Sequence, residues 1–452
     1  MIKYFLFFIS FIYFQNASGQ EYLSKSEAIE DIDHYTRTMQ ASHYNPFFYI
    51  TKQEYEKQLN TLKGMLGDSI PVKQFALLLH KITSLLNDAH STLQLSQPVF
   101  GEEYKKTQFF PYKLIHHGNK LYAPVGTDIP AGSEIVAING QKIPELYSDI
   151  QKIIPGVAAF KAEAACRLFS YFVFLHDIKP PFTVEYRAPE NKPGKITINE
   201  GVTYRAALSA NFPHIAKPFD FKIIDTKLAC LDIRTLSAGI SQLKAFLDTS
   251  FAAIKAQDIH TLAIDLRQNS GGNTELGELL FSYITRRPFS FGAKHWKISQ
   301  AYKDVLIANG DTAEVYLQKP NGSTWQDAAV CKPRENKFKS DVVFDGKVYF
   351  ITGPFTFSSA MAVADVVKTY NLGTLIGEAP GERAMDFGEA FSIQLPHSKF
   401  RIQSTTSFSL GARCGETKNR LVEPDILLQA TLPEKVEQND PVMKYLLKNT
   451  IK

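Results

Sequence analysis

Apolar residues change their period along this chain, and each change marks a boundary. Behind the capping-type Ser26, Ile29, Ile32 and Tyr35 recur at helical spacing. Residues 52–66 and 72–86 repeat the pattern, the second run entered through Pro71 near its first turn. From about 104 the pattern shortens to strands at 113–115, 120–123, 183–186 and 195–198, with a tight-turn signal at Asn139-Gly140. From about 220 strands and helices alternate: strand 228–233, helix 241–256, near-continuous apolar strand 261–266, helix 276–284, strand 348–352, helix 361–370, strand 374–376. Strands at 390–395 and 400–406 follow, and an amphipathic helix is expected from Pro433 to Asn449. The pattern predicts a multidomain α/β protein. Its parts are an N-terminal helical domain (20–103), a β-rich domain (104–205), an α/β core (206–432) with a peripheral insertion at 287–345, and a C-terminal helix (433–452).

Composition changes that picture little, except at the start of the chain. The 452 residues are 44% apolar and 21% charged, as in a globular protein, and the net charge of +4 is scattered, which argues against nucleic acid as a partner. Lys3, the apolar run 5–14 and Ala17-Ser18-Gly19 have the layout of a secretory signal, so residues 1–19 are expected to be removed. That run is too short to span a bilayer, and no stable membrane span is expected elsewhere. Export across the inner membrane, to the periplasm or the outside, makes Cys166, Cys230, Cys331 and Cys414 disulfide-permissive; the sequence leaves the pairing open. No cysteine has a partner at metal-site spacing, and no metal or cofactor is expected.

Candidate chemistry gathers at a few places. The strand 348–352 runs through Gly353-Pro354 into Thr356-Phe357-Ser358-Ser359-Ala360 and a helix. A sharp strand-to-helix turn lifts a hydroxyl clear of a sheet and points free N–H groups at a developing oxyanion. The plain alternative is a serine N-cap. Gly271-Gly272, after the buried strand 261–266, exposes backbone N–H groups with no Cβ in the way, as an oxyanion hole or phosphate cradle needs. A P-loop's Lys-Ser/Thr is absent there. His90 lies in Asp88-Ala89-His90-Ser91, and Gly377-Glu378 opens a loop.

Five blocks taken in order resemble the C-terminal-processing (tail-specific) serine proteases, peptidase family S41, in their tricorn-like branch. They are LLNDAHSTL (85–93), IDLRQNSGG (264–272), TFSSA (356–360), LIGEAPG (375–381) and VEPDI (422–426). The stretch 129–141, IPAGSEIVAINGQ, is similar to the middle of a PDZ domain, although no Gly-rich carboxylate loop precedes it near 112–117. The resemblance implies a crotonase-like α/β core beside an N-terminal helical domain and a PDZ-like β-rich domain. It implies an endopeptidase that hydrolyses peptide or unfolded-protein substrates through an acyl-enzyme, without a cofactor. Carried over by position, Ser358 is the nucleophile, and the N–H of Ser359 with that of Gly271 or Gly272 forms the oxyanion hole. One branch of the family uses a lysine about twenty-five residues after the serine as base; here that position is Arg383, which stays protonated. The other branch uses the histidine of the first block, here His90, as the base, with an ordinary imidazole pKa expected. Glu416 is the implied orienting acid, with Ser91 or Asp88 as alternatives, and Arg383 and Glu378 are implied in substrate binding or loop order. Met361 departs from the family's glutamate just past the nucleophile. A non-catalytic peptide-binding scaffold, or an acyl transferase or other crotonase-like hydrolase acting on a small substrate, are the other readings, and the oligomeric state is left open.

Overall fold

In the computed structural model the described residues are 21–95, 97–212, 217–312, 315–326, 331–415 and 418–450. The expected signal segment therefore lies outside them. The core is a six-stranded sheet in the order Ile426–Leu427, Thr374–Gly377, Lys347–Thr352, Thr261–Asp265, Leu228–Ile233, Phe219–Asp225. All neighbours pair in parallel except the last two. Alternate residues face opposite sides. Leu231, Ile233, Leu262, Ile264 and Phe350 pack under helices Ile240–Ala256, Thr274–Phe281 and Ser359–Tyr370. Leu228, Ala263, Ile351 and Ile376 pack on the other face against Val442 and Leu446 of helix Pro441–Thr450. Burial on both faces is why these strands read as continuous apolar runs.

The N-terminal helices Lys25–Ser42, Lys52–Gly64 and Val72–Ser84 share one apolar cluster with the β-rich segment and with Phe391, Ile393, Phe400 and Ile402. In that segment Ile115–His117, Lys120–Tyr122, Glu134–Ile138, Phe182–Arg187 and Pro193–Ile198 form an antiparallel sheet. Helices Ile143–Lys152, Ala158–Arg167 and Phe169–Leu175 also belong to it, more helix than the strand-dominated pattern predicts. The hairpin Asp386–Gln394 and Arg401–Ser409 joins Lys294–Lys297 and Thr324–Gln326 in a four-stranded sheet, which ties 287–345 to the site side of the core.

Two local expectations are corrected. The first helix is capped by Ser24, whose hydroxyl accepts the Glu27 N–H while the Glu27 carboxylate takes the Ser24 N–H. That reciprocal pair beats Ser26. The C-terminal segment is two helices, Leu432–Val436 and Pro441–Thr450, because Pro441 has no N–H to continue a helix and suits the start of a new one.

Candidate active site

Strand Lys347–Thr352 delivers the chain to Ser358, which turns with φ 52° and ψ −125° into helix Ser359–Tyr370. Positive φ is costly for a side chain with a Cβ and persists only where its surroundings enforce it. The enforcing contacts are present. Thr356 Oγ1 donates to the Leu266 carbonyl at 2.9 Å and accepts the Gly353 N–H at 3.0 Å, and the Phe357 N–H donates to the Asn269 carbonyl at 3.0 Å. The Ser358 side chain makes no capping bond, so the plain N-cap reading does not describe it.

The glycine turn sits directly against this serine. Gly271 has φ +106° and Gly272 φ +137°. A Cβ on Gly271 would lie 2.6 Å from Ser358 Cβ and 3.0 Å from Ser359 N, and one on Gly272 would lie 2.2 Å from the Leu236 carbonyl carbon. Asn269 is fully buried, holds the Ile233 carbonyl, and accepts the Gly271 N–H at 2.9 Å. Of the two alternatives, Gly272 is therefore the one left with an unused N–H. Among the described residues neither the Gly272 nor the Ser359 N–H donates a hydrogen bond. Ser359 Oγ donates to the Gly272 carbonyl at 2.6 Å and clamps the two turns together.

His90 arrives from far away in sequence because its flanks extend the hairpin. The Gln403 N–H donates to the Thr92 carbonyl at 2.8 Å, and the Gln94 N–H to the Arg401 carbonyl at 3.0 Å. Buried Asp88 anchors the turn, accepting from His90 N (2.9 Å), Ser91 Oγ (2.6 Å), Thr405 Oγ1 (2.8 Å) and His43 Nε2 (3.2 Å). Burial would raise its pKa, but His43, His90 and Ser91 hold it down to about 2. The His90 ring lies 4.9 Å from that of Phe357.

Glu382, which the sequence reading passed over, joins the parts. Its Oε2 accepts the Ser358 N–H and its Oε1 lies 3.0 Å from His90 Nδ1. The ring N–H does not point along that line, so the second contact is an ion pair and not a formed hydrogen bond. Burial pulls the His90 pKa down, but Glu382 foremost, then Asp88 and Asp386, push it up to about 9. The ordinary imidazole expected from sequence is thus corrected by a cluster of acids around the ring. Burial foremost, then Glu382 and Asp88, raise the Asp386 pKa well above its usual value. The signal was present in Gly381-Glu382-Arg383, the family's lysine loop, one residue before the position compared.

The structure thus brings Ser358, Ser359, Gly271, Gly272 and His90 together around Glu382. Among the described residues no hydrogen bond joins the Ser358 hydroxyl to His90. Arg383 flanks the site, stacked 4.3 Å over the Tyr49 ring. Glu378 is not part of it: burial raises its pKa and its charged neighbours are Lys435, Glu163 and His116. Ser91 serves Asp88, and Glu416 lies outside the described residues. Among the described residues no three His, Cys, Asp or Glu side chains are placed to hold a metal ion.

The segment 227–428 matches the model of peptidase family S41. No curated protein matches the chain in sequence. Mature CPAF complexed with lactacystin is similar at a TM-score of 0.62 and 15% identity, over 94% of this chain and 98% of that one. A putative peptidase from Parabacteroides merdae has a TM-score of 0.51 and 14% identity, over 95% of this chain and 98% of that one. At such identities the likeness is one of fold.

Proposed function

We propose that the chain, whose residues 227–428 match the model of peptidase family S41, is a serine-type peptidase of that family, an exported endopeptidase working through an acyl-enzyme on Ser358. Neutral His90 takes the hydroxyl proton as Ser358 Oγ attacks the peptide carbonyl. The oxyanion is received by the Ser359 and Gly272 N–H groups, and the imidazolium gives its proton to the leaving amine. Water, activated by the same histidine, then hydrolyses the ester. Glu382 stabilises the imidazolium by its charge, the acid's part expected of Glu416. The observation that carries the reading is the strained Ser358 turn, pressed against Gly271 beside two N–H groups that nothing else uses.

Arg383, always protonated, supports the histidine-using, tricorn-like branch. The mostly parallel core sheet fits a crotonase-like domain, and the antiparallel sheet with the Asn139-Gly140 turn fits a PDZ-like one. Export to the periplasm or beyond is supported by the signal-like residues 1–19 and by the Cys331–Cys414 disulfide, with Cα atoms 5.6 Å apart; Cys166 and Cys230 are free. No helix among the described residues is long and apolar enough to cross a membrane. The substrates are peptides or unfolded proteins.

A fluorophosphonate probe should label wild-type protein at Ser358, and Ser358→Ala should abolish both labelling and peptide hydrolysis with thermal unfolding nearly unchanged. Labelling at Ser359 with activity retained in Ser358→Ala would put the register off by one. The weakly active scaffold has one observation in its favour, the His90–Glu382 pair without a bond to Ser358. Labelled protein with no turnover of any peptide would select it.

A further inference from the structure

Arg383 follows Glu382 in the active-site loop, and among the described residues no carboxylate lies within ion-pair distance of it. The residue before it, Glu382, accepts the Ser358 N–H. Its own guanidinium lies over the Tyr49 ring, forms no ion pair among the described residues, and leaves Nη1 buried without a hydrogen-bond partner. The Tyr49 hydroxyl is also buried, next to the Arg383 charge, and among the described residues its proton has no acceptor. These are two donors side by side with no acceptor, a combination that costs free energy until one arrives.

Two further cations share the place. An isolated bridge between Arg383 and Leu421 brings the neighbouring loop alongside, and Lys418 on that loop lies 4.4 Å from the Phe48 ring centroid and 5.7 Å from that of Tyr49. Lys161 follows Phe160, whose ring stacks at 4.9 Å on Phe357, next to Ser358. Burial foremost, and then the Arg383 charge, lower the Lys161 pKa, so the two cations feel each other. Neither lysine has a carboxylate within ion-pair reach among the described residues. Other half-buried cations are paired with carboxylates, Arg167 with Glu163, Lys73 with Glu103 and Asp177, Arg267 with Asp265 and Asp440, whereas among the described residues Arg383 and Lys161 are not. Here Arg383 and Lys418 lie over an aromatic floor of Phe48 and Tyr49, with Lys161 near enough to feel the Arg383 charge.

We propose that Arg383, Lys161, Lys418 and the Tyr49 hydroxyl form a subsite for a carboxylate of the peptide substrate, adjoining the bond that Ser358 attacks. The inference rests on the peptidase reading and adds a specificity to it. A planar carboxylate matches the guanidinium fork and accepts from the phenol at once. It can come from an acidic side chain near the scissile bond or from a free peptide C-terminus.

The test uses full-length Ser358→Ala protein, which leaves peptides intact, and fluorescent peptides in matched pairs read by anisotropy. One series compares Glu with Gln at each position in turn, and a second compares a free C-terminus with its amide. We expect one pair to differ by about tenfold or more in Kd, in favour of the carboxylate. Which series shows it identifies the source. Adding Arg383→Gln should bring that ratio close to one, Lys161→Met should reduce it, and Arg383→Glu should turn the preference toward a Lys peptide. Equal affinities in every pair, or a ratio that survives both Arg383 variants in folded protein, would overturn the subsite. Probe labelling of the wild type decides the peptidase reading separately. A labelled Ser358 without carboxylate preference removes only the subsite, and an unlabelled protein leaves the binding ratios still decisive.

Discussion

Exchanging Glu382 for glutamine keeps the shape of the side chain and removes the charge that matters most to His90. Burial alone would carry the ring below its usual 6.5, but Glu382, Asp88 and Asp386 together bring it to about 9. At ~1.4 kcal/mol per tenfold, that gap amounts to roughly 3 kcal/mol in favour of the imidazolium. A general base has to be neutral, so at pH 7 only about 1% of the rings are competent. The wild-type kcat/KM should therefore climb about tenfold per pH unit through neutrality and level off near pH 9. In Glu382→Gln burial regains the upper hand, and the inflection should fall by at least about one pH unit. Stability runs the other way. A pKa raised by folding stabilises the native state fully below the unfolded value near 6.5, and that contribution is lost as pH rises through about 9. Wild-type thermal stability should decline across the window in which activity rises, and Glu382→Gln should lack most of that decline. The assay is kcat/KM on a fluorogenic peptide, with unfolding midpoints in the same buffers. A wild-type inflection near 6.5, or one that does not move in Glu382→Gln, would refute the reasoning.

Gly271→Ala puts a methyl 2.6 Å from Ser358 Cβ and 3.0 Å from Ser359 N at a φ of +106°, so the nucleophile and its oxyanion donor must shift and turnover should drop by roughly 10²–10³, as when such a donor is lost. Unchanged kcat would show that the turn yields freely. Asp88→Ala strands the donors of His43, Ser91, Thr405 and the His90 backbone in the interior, and should cost about 3–5 kcal/mol in urea unfolding as well as activity. A loss confined to kcat would mean the site relaxes around the hole. Opening the Cys331–Cys414 bridge, which closes a separation of 83 residues, should lower stability by about 2–4 kcal/mol, read as the same Tm drop in Cys331→Ser and in reductant-treated wild type. No shift in either would mean that the bridge does not form.

The Ser358 turn was legible in the amino-acid pattern because everything that makes it is local. A buried strand, Gly353-Pro354 and an apolar helix within some twenty residues force the reversal. The paired glycines were legible for the same reason, since only Gly tolerates the φ values that Gly271 and Gly272 adopt. The choice between them was not. It turns on the Asn269 side chain, which occupies one N–H and leaves the other. The single C-terminal helix was misread because amphipathic spacing ran across Pro441, whose break the pattern does not weigh.

By itself, then, the sequence determined the alternation of strand and helix, the two sharp turns and the kinds of side chain available for chemistry. These depend on steric limits and periodicity among neighbours in the chain. Tertiary structure alone decided that Glu382 meets His90 across 292 positions (382 − 90), that Asp88 gathers four donors, and that the histidine is charged at neutral pH. A pKa is set by which charges lie within a few ångströms and by how little water stands between them. Separation along the chain carries neither quantity.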